Sequence, residues 1–564
     1  MSKTYDTIIR DIYGHVPEVL ADGLRALQAS ASTRAGSRSL WDEGDVVLIT
    51  YADQIREDGV ASLEAQRRFL LDRKLEKQIR CVHLLPFCPY TSDDGFSVTD
   101  YLAVDPDAGS WDDIARLGQH FDLMFDLVAN HTSVSHDWFR RFLADDPEFR
   151  GAYIDQDPSA DLSAVVRPRS LPLLTPFETD AGIKHVWTTF SADQVDLNYA
   201  DPPTLLRMIE TLIEYARRGA RIIRLDAIAF LWKQPGTTCI HLPETHAIVR
   251  LMRAVLDDVA PGTIVLTETN VPHAENFSYF GNGTDEAHMV YQFSLPPLLL
   301  DAIHSGDTSI LKAWLTDLSP PTDETTFFNF TASHDGIGVR PLEGLVPTER
   351  LDHLVQVVRR HGGRVNMRSN SDGSESPYEL NITYVDAVAD RSTTTPEDHA
   401  QRFLATQILM LSLQGVPAIY FHSLVGTPND RAAVESSGQN RRINRRKYQR
   451  DELNAALENP TDLPHRIFSR FRQILSVRCR QVAFHPSASQ EVLDLAGDGL
   501  IGWLRSKDVD HSIAVIANLT DQPQSVSWTG IDKALCHDLL AEFSVPVDQP
   551  ITLAPFQVRW LSRV

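Results

Sequence analysis

Cysteine is scarce. Five occur in 564 residues, Cys81, Cys88, Cys239, Cys479 and Cys536. Their number is odd and no CxxC pair is present, which excludes a disulfide framework and a thiolate zinc site and fits a reducing compartment. Basic residues are in deficit too: 53 Lys and Arg against 76 Asp and Glu leave a net charge of −23. That charge repels phosphate backbones and anionic lipid, so neither nucleic acid nor membrane is an expected partner. No uninterrupted apolar run is long enough to span a bilayer and the N-terminus has no charged-then-apolar leader, so a cytoplasmic location is expected. Nor is there a GxGxxG turn after a strand, a P-loop, or HxH or HxxxH spacing. No cofactor and no bound metal is expected on that ground.

What is present is ordinary globular composition, 43% hydrophobic and 23% charged, which excludes a disordered scaffold. At about 150 residues per domain the length suits three or four domains, or one large barrel carrying insertions. Eight apolar runs of strand length decide between these: VVLITY (46–51), CVHLLPF (81–87), LMFDLV (123–128), IIRLDA (222–227), TIVLTE (263–268), MVYQFS (289–294), TFFNFTA (326–332) and VPAIYF (416–421). Helical segments such as residues 203–219 and 247–259 alternate with them, the pattern of a parallel sheet buried on both faces. An α/β fold is expected, a (β/α)8 barrel in residues 44–131, 197–335 and 401–482. MVYQFSLPPLLL is the ambiguous segment, since it reads equally well as the opening of a helix. Residues 1–43 read as a helical extension ending in the polar stretch 29–39. Residues 132–196 form an inserted domain after the third strand, and residues 336–400 an insertion after the seventh. From 483 to 564 short alternating segments read as an antiparallel β domain. A homodimer is compatible with general frequency, and no segment argues for it.

The C-terminal ends of barrel strands converge on one mouth. Four of these runs end in polar groups: Asp126, Asn130 and His131; Arg224 and Asp226; Glu268; His334 and Asp335. Each alone is an ordinary cap or structural group; together they make a site. Glycosyl transfer fits, because it needs one carboxylate to attack the anomeric carbon and a second, of raised pKa, to protonate the departing oxygen. Asp226 takes the first role, kept ionised by Arg224 two residues before it. Glu268, with no cation nearby in sequence, takes the second. Asp335, His131 and His334 then hold sugar hydroxyls, and Arg224 is expected to contact the sugar as well.

DLVANH, RLDA, LTETN and SHD resemble, in order and spacing, the four signature segments of the alpha-amylase superfamily, over roughly residues 44 to 564. The resemblance implies the barrel, the insertion after the third strand, a C-terminal β domain and a retaining mechanism with an aspartate nucleophile and glutamate acid/base. A narrower resemblance, to the sucrose phosphorylase group, runs through PYTSDDGFSVTDY (89–101), VRPR (166–169), SHDGIGV (333–339) and RRINRRKY (441–448). It implies that Asp93 and Phe96 close the blind end of a single-glucose pocket. It also implies that Arg169 and Arg441 stand on the acceptor side with Tyr378 and Glu379 of the ESPYELNITY loop, and that Phe230 and Asn270 contact substrate. The Arg441, Arg442, Arg445 and Arg446 cluster would then offer a cationic site for phosphate. Sucrose and phosphate are the substrates this group implies, inorganic phosphate serving as co-substrate.

Departures fall on the acceptor side. Thr269 and Asn270 stand where the group carries an aliphatic residue and a histidine, and Phe230 and Val166 where it carries tyrosines. Ser376 and Glu379 replace an aspartate and a glutamine. These features are similar to the branches acting on glucosylglycerate, glucosylglycerol or sucrose 6-phosphate, which remain alternatives. So do a hydrolase of the superfamily and a non-catalytic barrel that binds partners.

Overall fold

The computed structural model describes residues 3–30, 39–168, 171–369 and 374–564. All eight apolar runs form strands: β1 (Val47–Thr50), β2 (Cys81–Leu84), β3 (Asp122–Val128), β4 (Ala220–Asp226), β5 (Ile264–Thr267), β6 (Met289–Tyr291), β7 (Thr326–Phe330) and β8 (Val416–Tyr420). Each pairs in parallel with its neighbours in sequence, and β8 closes on β1. Only Asp122 and Arg221 among their residues are not buried. Both strand faces are covered, by the barrel interior and by the outer helices, so the runs are apolar throughout instead of alternating.

The ambiguous sixth segment turns out to be both things at once. A three-residue strand is followed by a helix from Leu295 to Ser305. Pro296 and Pro297 occupy its first turn, where a missing N–H leaves no bond unmade.

The N-terminal extension is a pair of helices, α1 (Lys3–Tyr13) and α2 (Glu18–Ala29), lying against the barrel helices α3 (Pro202–Arg217) and α4 (Pro243–Val259). Tyr5, Ile9, Leu20 and Leu24 are buried there. The Tyr5 hydroxyl donates to Asp258 at 2.7 Å, and that of Tyr13 to the Tyr199 carbonyl at 2.8 Å. Residues 31–38 of the polar stretch that follows lie outside the described residues.

The two insertions stand over the C-terminal mouth. After β3, a short strand His131–Ser133 pairs antiparallel with Gln194–Asp196 to form the base of the first, and a hairpin of Leu174–Thr179 with Gly182–Trp187 forms its body. After β7, the strands Ile337–Gly338, Glu375–Asn381 and Arg364–Ser369 make a three-stranded antiparallel sheet. A six-stranded antiparallel sheet begins at Ser489 and ends at Arg563, with an apolar core of its own that includes Leu500, Ile516 and Leu561. Among the described residues no helix is long and apolar enough to cross a membrane.

Candidate active site

The strand-end groups meet. Asp226, Glu268, His334 and Asp335 line one pocket with Asp93, Phe96, His131, Asn270, Tyr378 and Arg441. Below its floor sits Arg224, only 2% exposed. Its guanidinium donates to Asp126 and, at 2.7 Å, to Asp226, while its other terminal nitrogen stands 3.9 Å from Glu268. Arg224 therefore holds carboxylates and does not line the pocket, which corrects the expectation that it contacts sugar. Buried, neutral His83 donates to Asp126 as well, at 2.7 Å. Burial alone would raise the Asp126 carboxyl, but Arg224 and His83 outweigh it and hold it down at about 2.

The charge that Arg224 favours on Asp226 is opposed by its surroundings. Burial pushes the Asp226 carboxyl well above its ordinary range; Arg224 opposes this, and Glu268 and Asp126 add repulsion. Glu268 is pushed up by burial too, with Arg224 again opposing. Two buried carboxyls beside each other favour sharing one proton. Arg224 touches Asp226 and only approaches Glu268, so the proton belongs on Glu268. Ala227, directly after Asp226, adopts the left-handed conformation at φ 49°, uncommon for a residue with a Cβ. Its N–H donates to Glu268 Oε2 at 3.0 Å, so this strained turn aims one carboxyl while presenting the other.

Phe96 and His334 stack face to face, ring centres 4.6 Å apart, forming an aromatic floor. His334 is pushed well below its usual pKa by burial, with Arg445 and Arg224 adding to it, and is therefore neutral. Burial lowers His131 as well. Its Nε2 donates to the Phe96 carbonyl at 2.9 Å and its Nδ1 accepts from Asn130 at 3.3 Å. In this arrangement both ring nitrogens serve the protein, so His131 shapes the wall instead of offering a free donor.

Behind that wall is a buried cation absent from the sequence reading. The Lys233 ammonium, on the loop after β4, donates to Asn130 Oδ1 at 2.6 Å and pairs with Asp196 at 2.8 Å; its side chain is 1% exposed. Asp196 also accepts from the Thr189 backbone and hydroxyl. One ammonium thus ties the β4 loop, the end of β3 and the base of the first insertion. From that insertion Phe190 and Gln194 complete the pocket. Neither was foreseen, since nothing in FSADQVDLNY marks which residues turn inward.

On the acceptor side the expectations need correction. Arg442 and Arg445 reach Asp94 at 2.9 and 2.8 Å, Arg445 also meets Asp93 at 3.1 Å, and Arg446 pairs with Glu452. The arginine run is thus matched by carboxylates and is not an open phosphate site. Arg441 lines the pocket but lies between Asp335 at 2.5 Å and Glu379 at 2.8 Å. Glu379, 1% exposed, faces away from substrate. It accepts from Gly336 N at 3.1 Å, Asn366 at 3.0 Å and Arg441, so it positions the arginine. Phe230 does not line the pocket either; its ring packs edge-on against Phe190 at 5.5 Å. Arg169 lies outside the described residues. Among these no three His, Cys, Asp or Glu side chains converge as metal ligands.

Residues 75–335 match the family model described as "Alpha amylase, catalytic domain". A glucosylglycerate phosphorylase of Escherichia coli (strain K12) is 45% identical over 522 residues, 92% of each chain. One of Allomeiothermus silvanus is 50% identical over 491 residues, 87% of this chain and 88% of that one. Among solved structures, sucrose 6F-phosphate phosphorylase from Thermoanaerobacter thermosaccharolyticum superimposes with a TM-score of 0.74 at 24% identity, over 87% of this chain and 96% of that one, a likeness of fold. The protein whose strand ends gather these carboxylates belongs to the alpha-amylase family, and within it to the glycoside phosphorylases.

Proposed function

We propose that the chain is a retaining glucosylglycerate phosphorylase, converting glucosylglycerate and inorganic phosphate into α-glucose 1-phosphate and glycerate. The observation that carries this is identity of 45% and 50% to two phosphorylases of that name, over about nine-tenths of the chain. Sucrose, the first expectation, gives way to this alternative, and the acceptor-side departures fit the change: Asn270 lines the pocket where the sucrose group has a histidine.

In the first step the ionised Asp226 carboxylate attacks the anomeric carbon while Glu268 gives its proton to the departing glycerate oxygen. Asp226 then carries the glucosyl unit. In the second step a phosphate oxygen attacks the same carbon, Asp226 leaves, and the phosphate proton returns to Glu268. Two inversions give net retention. Arg224 supports the first step by favouring charge on Asp226 over Glu268. Asp335, fixed by Arg441, is placed to bind sugar hydroxyls, an interaction that strengthens as the ring distorts. Asp93 and Phe96 shape the end of the pocket, limiting it to one sugar.

The test is synthesis in reverse. α-Glucose 1-phosphate is offered with glycerate, glycerol, fructose or fructose 6-phosphate, and phosphate release is followed. Release is expected to be fastest with glycerate. Preference for fructose would return the protein to the sucrose reading, and equal glucose release from glucosylglycerate with and without phosphate would make it a hydrolase.

A further inference from the structure

The Asp93 end of the pocket is backed by a buried cation. Arg445, on the segment after β8 and only 1% exposed, reaches three residues of the lining. Its Nη1 donates to Asp93 at 3.1 Å, its Nε donates to the His334 carbonyl at 2.8 Å, and its Nη2 stands 3.9 Å from Asp335 Oδ1. That last nitrogen is buried and has no hydrogen-bond partner. An unmatched guanidinium donor is drawn towards a neighbouring carboxylate. Closing on Asp93 or Asp335 would commit to the protein a carboxylate that lines the pocket.

Asp94 pulls the other way. It takes no part in lining the pocket and instead borders a separate groove with Tyr51, Phe87 and Asp105. Its Oδ2 accepts from the same Arg445 Nη1 at 2.8 Å, a shorter bond than the one to Asp93, and its Oδ1 pairs with Arg442 at 2.9 Å. The backbone is bent to allow this. Asp93, Asp94 and Gly95 are all left-handed, with φ of 51°, 51° and 113°. A Cβ on Gly95 would lie 2.5 Å from the Pro86 carbonyl oxygen, so only glycine fits the third place. Two successive left-handed residues that carry side chains are strained, and strain of this kind persists where the surroundings hold it. Here the turn sends Asp93 to the pocket and Asp94 to the arginines behind it.

We infer that Asp94 is a positioning residue for the donor sugar. By holding Arg445 it keeps that guanidinium from closing on Asp93 and Asp335, so that these carboxylates accept from glucosyl hydroxyls. The inference rests on the reading of this pocket as a glucosyl site and concerns the donor, so it is the same whichever acceptor follows. Without Asp94 the surplus charge of Arg445 turns on its neighbours and competes with the sugar.

The experiment compares wild type, Asp94→Asn and Asp94→Gly, whose new residues both tolerate the left-handed conformation, Gly with the strain relieved. The donors are α-glucose 1-phosphate and its 3-, 4- and 6-deoxy analogues, with the acceptor that wild type uses best. The readout is the ratio of kcat/KM between parent and deoxy donor, in which the fraction of folded enzyme cancels. In wild type the analogue lacking the hydroxyl held by Asp93 or Asp335 is expected to be worse by roughly 10- to 100-fold, the worth of a charge-assisted hydrogen bond. In both variants the parent donor loses that advantage, and the ratio falls to about threefold or less. A wild-type ratio retained in either variant overturns the assignment, since a merely structural role lowers all donors alike. So does a wild type that does not discriminate among the donors, and in both cases the proposed function stands. If wild type releases no phosphate from α-glucose 1-phosphate with any acceptor, the proposed function and this inference fall together.

Discussion

The two central carboxyls are held where burial favours their protonated forms, and this has a consequence for stability. Glu268 has a folded-state pKa above its ordinary 4.5, so its contribution is fully present below about 4.5 and is lost as pH rises through the folded value. Glu268→Gln removes that loss. The variant is expected to be inactive in phosphorolysis yet to melt higher than wild type at pH 7, the difference vanishing towards pH 4 in a series of thermal melts. Lys233→Met has the opposite sign, because it leaves Asp196 buried without its cation; a loss of about 3–5 kcal/mol is expected in urea titration. Sequence made the strand-end acids legible because each follows an apolar run that can only be a strand. It did not reveal Lys233, whose partners lie in two other loops. Nor did it show that Glu379 faces an arginine. That depends on an antiparallel register which sets Glu379 opposite Gly338 and Asn366, and no local pattern specifies it.

Among the elements, the sheet of the second insertion does the most for the site. Gly336 lets its strand pass close to Glu379: a Cβ there would meet the Glu379 Cγ at 2.5 Å and the Leu380 carbonyl at 2.8 Å. Gly336→Ala is therefore expected to push Glu379 off Arg441, and through Arg441 to loosen Asp335. Steady-state kinetics should show kcat falling by about tenfold or more with a Tm change of a few degrees, whereas a substitution harmful only to folding would leave kcat per folded molecule intact. The barrel strands were readable to within a few residues because burial on both faces demands apolar sequence. The sixth was ambiguous for a physical reason as well: three residues suffice to bridge β5 and β7, and the prolines that begin the next helix follow so closely that no turn signal separates them. The insertions were visible as gaps too long for simple connections, but their inward-facing residues were not, since neither has the apolar periodicity of a core element.

For the whole molecule, the net charge of −23 bears on the proposed reaction, whose phosphate and glycerate are anions. Long-range repulsion is screened by salt, with a Debye length of about 10 Å at 0.1 M. Raising ionic strength from low to moderate is thus expected to increase kcat/KM for phosphate and glycerate while leaving glycerol unchanged, a comparison that stopped-flow or initial-rate assays resolve. The last consequence concerns the N-terminal helix pair. Tyr13 donates to the Tyr199 carbonyl, and the Tyr199 hydroxyl donates to that of Ala129 at 2.5 Å; Ala129 adjoins Asn130, which Lys233 grips. The Tyr13 ring also rests against Trp232 at 6.1 Å, next to Lys233 itself. Coupling of this kind is reciprocal. A glucoside seated in the pocket should slow amide exchange and protease cutting in α1, on the far side of the wall, so that the beginning of the chain reports whether the sugar site is filled.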